Sequence, residues 1–282
     1  MLRQNEITVF PVSIFALRKH YPMGLLNQDD PDKFEVLNQP SSTPVVLGCD
    51  HASKAIPISL NGLGLSDKAR DNHIAWDIGA GAVTRRLSEL LDATAILAGY
   101  SRLVIDLNRD PDDPASIPVK SDNIKIPGNK SLSAADRYSR KKEIYDPYHN
   151  QMAALLKTKR LNGVVPILFS IHSFTPTMSG ESRPWHVGVL WNRDARIANP
   201  LVEALSLHPD NLVVGNNKPY SGRKFAHTLD VQAGAHGYAN CALEIRQDLV
   251  HSGNQVQYWA NLLAKILSGI FAQKNVSRIQ HY

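Results

Sequence analysis

Short apolar runs that stop at polar, chemically active side chains recur along the chain. Val45-Val46-Leu47-Gly48-Cys49 stops at Asp50-His51, and the apolar run over 164–171 stops at His172-Ser173. Runs of this kind, bounded by polar groups, predict buried strands. In an open α/β sheet the carboxyl ends of such strands border the ligand crevice. Residues 95–99, 187–191, 212–214 and 241–245 read as further strands, the last carrying Glu244 between Leu243 and Ile245. Over 103–107 a period of two sets Leu103, Ile105 and Leu107 on one strand face, with Arg102, Asp106 and Asn108 on the other.

A helical period takes over elsewhere. From Ser66 as N-cap, Ile74, Ile78, Val83, Leu87, Leu90 and Leu91 form a stripe that predicts one helix over 66–91, with His73 and Asp77 one turn apart beside it. Ser133 with Asp136 reads as a capping box opening a helical region to Leu161, broken at Pro147 and closed by Asn162-Gly163. Residues 195–206 and 254–271 predict two more helices. The stretch 110–130, rich in Pro, Asp and Asn, is too long for a plain connector and reads as a functional loop. Strands alternating with helices predict an α/β fold, a single domain with a mixed twisted sheet flanked by helices. Residues 1–43 are expected to form an irregular N-terminal arm packed on the domain, and 44–282 the domain itself.

Composition narrows the classes. The 282 residues are 43% hydrophobic and 20% charged, an ordinary globular mixture. The net charge of +5 favours an anionic partner over a cationic one. Neither Arg18-Lys19-His20 nor Arg140-Lys141-Lys142 is interleaved with aromatics, which argues against nucleic acid. No apolar run is long enough to span a bilayer, and the apolar segment 7–17 is followed by Arg18-Lys19 where a signal peptide would have small residues. With two cysteines, Cys49 and Cys241, the expected address is cytoplasmic and the thiols free. CxxC, HExxH, Walker and GxGxxG motifs are absent, which removes the P-loop, Rossmann and zincin readings.

What remains is a constellation. His51 and His172 follow separate strands, and His73 and Asp77 share a segment; each histidine taken alone is more often a structural, hydrogen-bonded residue than a ligand. Glu244 sits amid Ala242, Leu243 and Ile245, where a carboxylate is costly to bury unless it is ion-paired or works as an acid or base. Arg102 reads equally as an anion contact or as the ion-pair partner of Asp106.

Six segments in order resemble the N-formylglutamate amidohydrolase family: Cys49-Asp50-His51-Ala52-Ser53, His73-Ile74-Ala75-Trp76-Asp77-Ile78-Gly79-Ala80, Ser101-Arg102-Leu103-Val104-Ile105-Asp106-Leu107-Asn108-Arg109, Ser170-Ile171-His172-Ser173-Phe174, Gly188-Val189-Leu190-Trp191-Asn192-Arg193-Asp194 and Leu243-Glu244-Ile245-Arg246-Gln247-Asp248-Leu249. The likeness covers residues 44–267 and implies a phosphorylase/hydrolase-like fold similar to zinc carboxypeptidases and aspartoacylases. It implies His51, His172 and Asp77 as zinc ligands, with His73 as the alternative third ligand or as the group orienting Asp77. Lys54 stands where the carboxypeptidase pattern has a glutamate. Asn108 and Arg109 resemble a pair that grips a substrate carboxylate, Arg102 adds a second anion contact, and Glu244 matches the acid/base carboxylate. Asn217, Tyr220 and His236 fall in segments resembling the substrate-side loop, and Arg246 either orients Glu244 or meets substrate.

The expected activity is zinc-dependent hydrolysis of an N-formyl or other short N-acyl amino acid, a small anionic substrate, most naturally N-formylglutamate to formate and glutamate. Manganese, iron and cobalt suit the same ligands. Two other readings stay open: a zinc carboxypeptidase or peptidoglycan-type amidase, and a non-catalytic anion-binding member of the fold.

Overall fold

The structure, a computed structural model, describes residues 24–282. The apolar segment 7–17 and the cluster Arg18-Lys19-His20 lie outside the described residues. In chain order the elements are β1 (Phe34–Leu37), β2 (Val45–Cys49), α1 (Asp67–Arg70), α2 (Ala80–Leu90), β3 (Thr94–Ala98), β4 (Lys120–Ser121), β5 (Ile124–Lys125), α3 (Ala134–Arg140) and α4 (Asp146–Leu161). There follow β6 (Ile167–Phe174), β7 (Thr177–Met178), β8 (Glu181–Ser182), β9 (Val187–Leu190), α5 (Ala198–Ser206), β10 (Val214–Asn216), α6 (Gly222–Phe225), α7 (His227–Gln232), β11 (Ala239–Arg246) and α8 (Gly253–Phe271).

Seven strands form one mixed sheet in the order β1-β3-β2-β6-β11-β9-β10. The centre is parallel, β3 with β2, β2 with β6 and β6 with β11, while β1 pairs antiparallel with β3 and β11 antiparallel with β9. Residue parity divides each central strand between two cores. Leu47, Phe169, Ile171, Leu243 and Ile245 pack with Val83 and Leu87 of α2, Leu201 and Leu205 of α5, and Leu263 and Leu267 of α8. Val46, Leu168 and Ala242 face the other way, toward Tyr148, Met152 and Leu156 of α4 and Leu229 of α7. Each such aliphatic side chain, fully buried, contributes on the order of 2 kcal/mol. The same parity puts His172 and Glu244 on the α4/α7 face.

The polar stops on apolar runs predicted the central strands well, but two elements differ. The helix expected over 66–91 is two helices, because residues 71–79 form turns. Gly79 is the reason: its φ is +83°, and a Cβ there would lie 2.3 Å from the Val250 carbonyl oxygen. His73 and Asp77 are therefore not neighbours on a helix. The strand expected over 103–107 is also a series of turns, with Leu103, Val104 and Ile105 all buried. A strand there has no edge to join, since β1, inside the stretch expected to be irregular, already pairs with β3. The backbone is satisfied instead by Val104 N–H donating to Ser101 O and Asp106 N–H to Ser116 O.

The capping box at Ser133 and Asp136 is present. The break near Pro147 is a π-turn over Lys141–Tyr145, after which Pro147 occupies the first turn of α4, where its missing N–H costs nothing. Cys49 and Cys241 are free and buried. No helix among the described residues is long and apolar enough to cross a membrane.

Candidate metal centre and active site

Three sheet strands set the floor of the site. β2 delivers His51 two residues past its end, and the parallel register of β6 and β11 places His172 beside Glu244. On its other side Glu244 faces Gly188 of β9. An added Cβ at Gly188 would lie 2.0 Å from the Lys218 carbonyl oxygen, so the bare backbone admits the chain after β10 against the sheet. That path brings Tyr220 to the cavity.

The turn over 71–79 drops Asp77 between the two imidazoles. It is tied down by Asp77 N–H donating to His51 O at 3.0 Å and by the Ser173 hydroxyl donating to Ile78 O at 2.7 Å. Asp77 Oδ2 lies 3.3 Å from His51 Nδ1 and 2.9 Å from His172 Nδ1. One donor atom from each of His51, Asp77 and His172 lies within 4.8 Å of the other two, and all three residues are buried.

This donor set fits a divalent metal. Two imidazoles and a carboxylate are a standard ligand combination for catalytic zinc, and donors at bonds of about 2.0–2.1 Å in a tetrahedron sit about 3.3 Å apart. The hydrogen bonding agrees: His51 Nε2 lies 2.8 Å from Asp106 Oδ1, a carboxylate that only accepts, so a metal-bound His51 would keep its single ring proton on Nε2 and offer Nδ1 to the ion. The charge favours a cation as well. Burial pulls His51 down, but Asp106 and Asp77 outweigh it and raise the imidazole to about 9. Burial pushes the Asp77 carboxyl up, while His51, His172 and Arg102 hold it well below the usual carboxylate range.

The opposite wall is the turn segment after Ser101, and Asp106 organises it. Its carboxylate accepts from Asn108 N–H at 2.9 Å and Arg102 Nη2 at 2.9 Å, and lies 3.4 Å from Arg109 Nε. Arg102 Nη1 also reaches Asp77 Oδ1 at 3.3 Å. Arg102 is thus ion-paired to Asp106, and it also lines the cavity. Arg109 lies over the Phe225 ring, 5.6 Å from its centroid.

Glu244 is 6% exposed, and its Oε2 has no hydrogen-bond partner among the described residues. Burial raises its carboxyl to about 7, against the pull of His172 and with the push of Asp77. It opens onto a cavity of about 270 Å³ shared with His51, Asp77, His172, Arg102, Arg109 and Tyr220. The 110–130 stretch does border this space, through Ala115, Pro118, Lys120 and Ser121. Arg183 Nη1 donates to the Tyr220 hydroxyl at 2.8 Å, and that hydroxyl in turn donates to Met178 Sδ at 3.9 Å, a weak acceptor.

Other expected residues lie differently. His73 lines the cavity with Nε2 3.1 Å from Asp122 Oδ2, apart from the three-donor cluster. Asn108 also lines it, but its amide donates to Phe225 O and accepts from Thr228 N–H, so both ends hold backbone. Arg246 does not reach the cavity: it pairs with Asp248 at 2.7 Å and donates to the Pro184 carbonyl. His236 is exposed, stacked on Tyr238 and away from the cavity, because its segment turns outward after α7. Asn217 accepts from Trp191 and Gly222 N–H groups and shapes its loop. Lys54 pairs with Asp71 at the surface. The sequence reading passed over Asp50, Tyr148 and Arg183. Only Asp50 carried a signal, as a charged residue ending an apolar run.

Comparison with known proteins places this geometry. The sequence pattern of the family described as N-formylglutamate amidohydrolase matches residues 43–251. No curated protein matches the chain. Among solved structures, a gene product from Agrobacterium tumefaciens is 34% identical with a TM-score of 0.85, covering 88% of this chain and 98% of its own. The N-formylglutamate amidohydrolase from Ralstonia eutropha JMP134 is 19% identical with a TM-score of 0.59, covering 84% of this chain and 96% of its own, and so shares the fold.

Proposed function

The chain belongs to the N-formylglutamate amidohydrolase family, and from that premise we propose that it hydrolyses the amide of an N-formyl or other short N-acyl amino acid, with N-formylglutamate as first substrate and zinc as metal. His51, Asp77 and His172 would hold the ion. A divalent ion there supplies Lewis acidity, which makes water more acidic and an amide carbonyl more electrophilic.

The chain's own groups supply the rest. Glu244, with one carboxylate oxygen unengaged beside the donors, takes the proton from the attacking water and passes it to the leaving amine. Buried and with an oxygen left unpaired, that carboxyl is placed to accept the proton and to return it. The phenolic proton of Tyr220, which otherwise meets only the weak acceptor Met178 Sδ, can turn to the oxygen that gains charge on the acyl carbon. Arg102 and Arg109, half-buried and clamped by Asp106, present their remaining N–H groups to a substrate carboxylate. Asn108 serves them indirectly, by holding the backbone at Phe225 and Thr228. Neither Arg246 nor His236 has a part in the chemistry.

The observation that carries this reading is the convergence of three buried donors and a buried, unpartnered glutamate in one cavity. The test is to incubate the purified, zinc-loaded chain with N-formylglutamate and follow formate and free amine together. Equimolar release that stops on adding a chelator and returns with zinc is expected. Loaded protein that spares N-formylglutamate and other N-acyl amino acids but cleaves short peptides would replace the reading with the carboxypeptidase one.

A further inference from the structure

Asp50 is the most deeply buried acid with an unexplained oxygen outside the three-donor cluster. It is 1% exposed, and its Oδ2 has no hydrogen-bond partner among the described residues. Leaving a buried carboxylate oxygen unmatched is costly, so a fold that keeps one gains something from it. Two contacts define what that is. Tyr148 donates its hydroxyl to Asp50 Oδ1 at 2.8 Å, and His172 Nε2 lies 3.6 Å from Asp50 Oδ2.

His51 shows the completed form of the same arrangement. Its Nδ1 faces Asp77 while its Nε2 meets Asp106 at 2.8 Å. His172 likewise turns Nδ1 to Asp77, so a metal held on Nδ1 would leave the ring proton on Nε2, which lies 3.6 Å from the Asp50 carboxylate. We propose that Asp50, braced by the Tyr148 hydroxyl, is the positioning residue for His172: with a metal held on Nδ1, Asp50 Oδ2 would close the 3.6 Å gap and accept a hydrogen bond from Nε2–H, fixing the tautomer and ring orientation that aim Nδ1 at the ion. This rests on the metal-centre reading above and adds to it a residue that touches neither metal nor substrate.

The brace reaches further than one side chain. Tyr148 lies in α4 directly after the π-turn, and its neighbour His149 directs Nε2 to Leu107 O at 2.9 Å, in the wall segment that bears Asp106. One helical turn thus supports the carboxylates behind both imidazoles. Loss of such an outer carboxylate weakens metal binding by about 10- to 100-fold in general.

The test measures zinc affinity by chelator competition in the wild-type chain and in Asp50→Ala, Asp50→Asn and Tyr148→Phe, with unfolding of each metal-free protein as a folding control. Asp50→Ala should bind zinc about 10- to 100-fold more weakly. Asp50→Asn, whose amide oxygen still accepts from His172 while its NH2 donates to the tyrosine oxygen, should recover most of that loss. Tyr148→Phe should fall between the two. The cobalt-substituted forms should show a shifted ligand-field spectrum in Asp50→Ala and a near-normal one in Asp50→Asn. Wild-type affinity in Asp50→Ala, or Asp50→Asn as weak as Asp50→Ala, overturns the proposal and leaves the metal centre standing. A wild-type chain that takes up no zinc, manganese, iron or cobalt removes the metal centre, and this proposal with it.

Discussion

The floor of the site and its wall are built by different means. His172 and Glu244 stand on neighbouring strands whose register fixes their spacing, and His51 follows the strand on the other side of β6. Asp77, Arg102, Asp106 and Arg109 stand on turns, held by hydrogen bonds to single carbonyls and to one shared carboxylate, and by one hydroxyl donor. Strand positions are over-determined, since many ladder bonds and two cores must yield before one residue moves. Turn positions depend on a few contacts each, so the wall is where single substitutions should misplace groups without unfolding the sheet.

The sharpest test of that contrast starts on the floor. Glu244→Gln is nearly isosteric and leaves the three donors in place, so zinc content should stay near one equivalent while kcat falls about a hundred- to ten-thousand-fold. Elemental analysis and amine release on the same sample measure both; retained turnover would remove Glu244 from the proton transfer. On the wall, Asp106→Ala should act through several groups together, because His51, Arg102, Arg109 and the Asn108 N–H all lean on that carboxylate. We expect about 10- to 100-fold weaker zinc binding together with a raised KM. An effect confined to KM would show that Asp106 does not orient His51.

Gly79→Ala separates backbone from chemistry, two residues away from Asp77. The substitution forces a side chain into positive φ and against Val250 O, at a cost above about 2 kcal/mol. Thermal unfolding of the metal-free protein should drop by roughly 4–8 °C. An unchanged midpoint would mean that the 71–79 turn relaxes freely and is not what holds Asp77.

The same contrast explains what was legible in the sequence. Floor residues were visible because a strand buried on both faces writes a continuous apolar run, and a polar residue that ends or interrupts it is conspicuous: His51 and His172 follow such runs, and Glu244 stands inside one. Wall residues were misplaced because a turn that buries its apolar side chains mimics a regular period. Ile74 and Ile78 extended the α2 stripe across a glycine that breaks it, and Leu103, Ile105 and Leu107 alternate like a strand in a segment with no sheet edge to join. The resemblance named Asp77 where spacing alone had put it on a helix. It also suggested His236 and Arg246, which the fold turns away from the cavity. Asp106, seen only as an ion-pair partner, organises the wall through four contacts that no local pattern encodes.

The smallest effect expected concerns how the wall leans on α4. His149 is buried and neutral by design: Gln232 Nε2 lies 3.0 Å from its Nδ1, while Nε2 is directed to Leu107 O. Burial lowers its pKa from the ordinary 6.5, since a second ring proton would be desolvated, and the nearby His227 adds to the drop. The sign follows from linkage. Below about 6.5 the unfolded chain binds a proton that the folded chain refuses, so this contribution is present in full above that pH and is lost as pH falls toward the depressed native value. The slope is at most about 1.4 kcal/mol per pH unit, and it should shrink in His149→Gln, which cannot titrate. Urea unfolding of both chains at pH 7.5, 6.5 and 5.5 measures the difference between two slopes, so other titrating groups cancel. Parallel slopes would mean that His149 accepts its proton without strain, and that the wall's support at Leu107 O survives mild acid as well as the floor does.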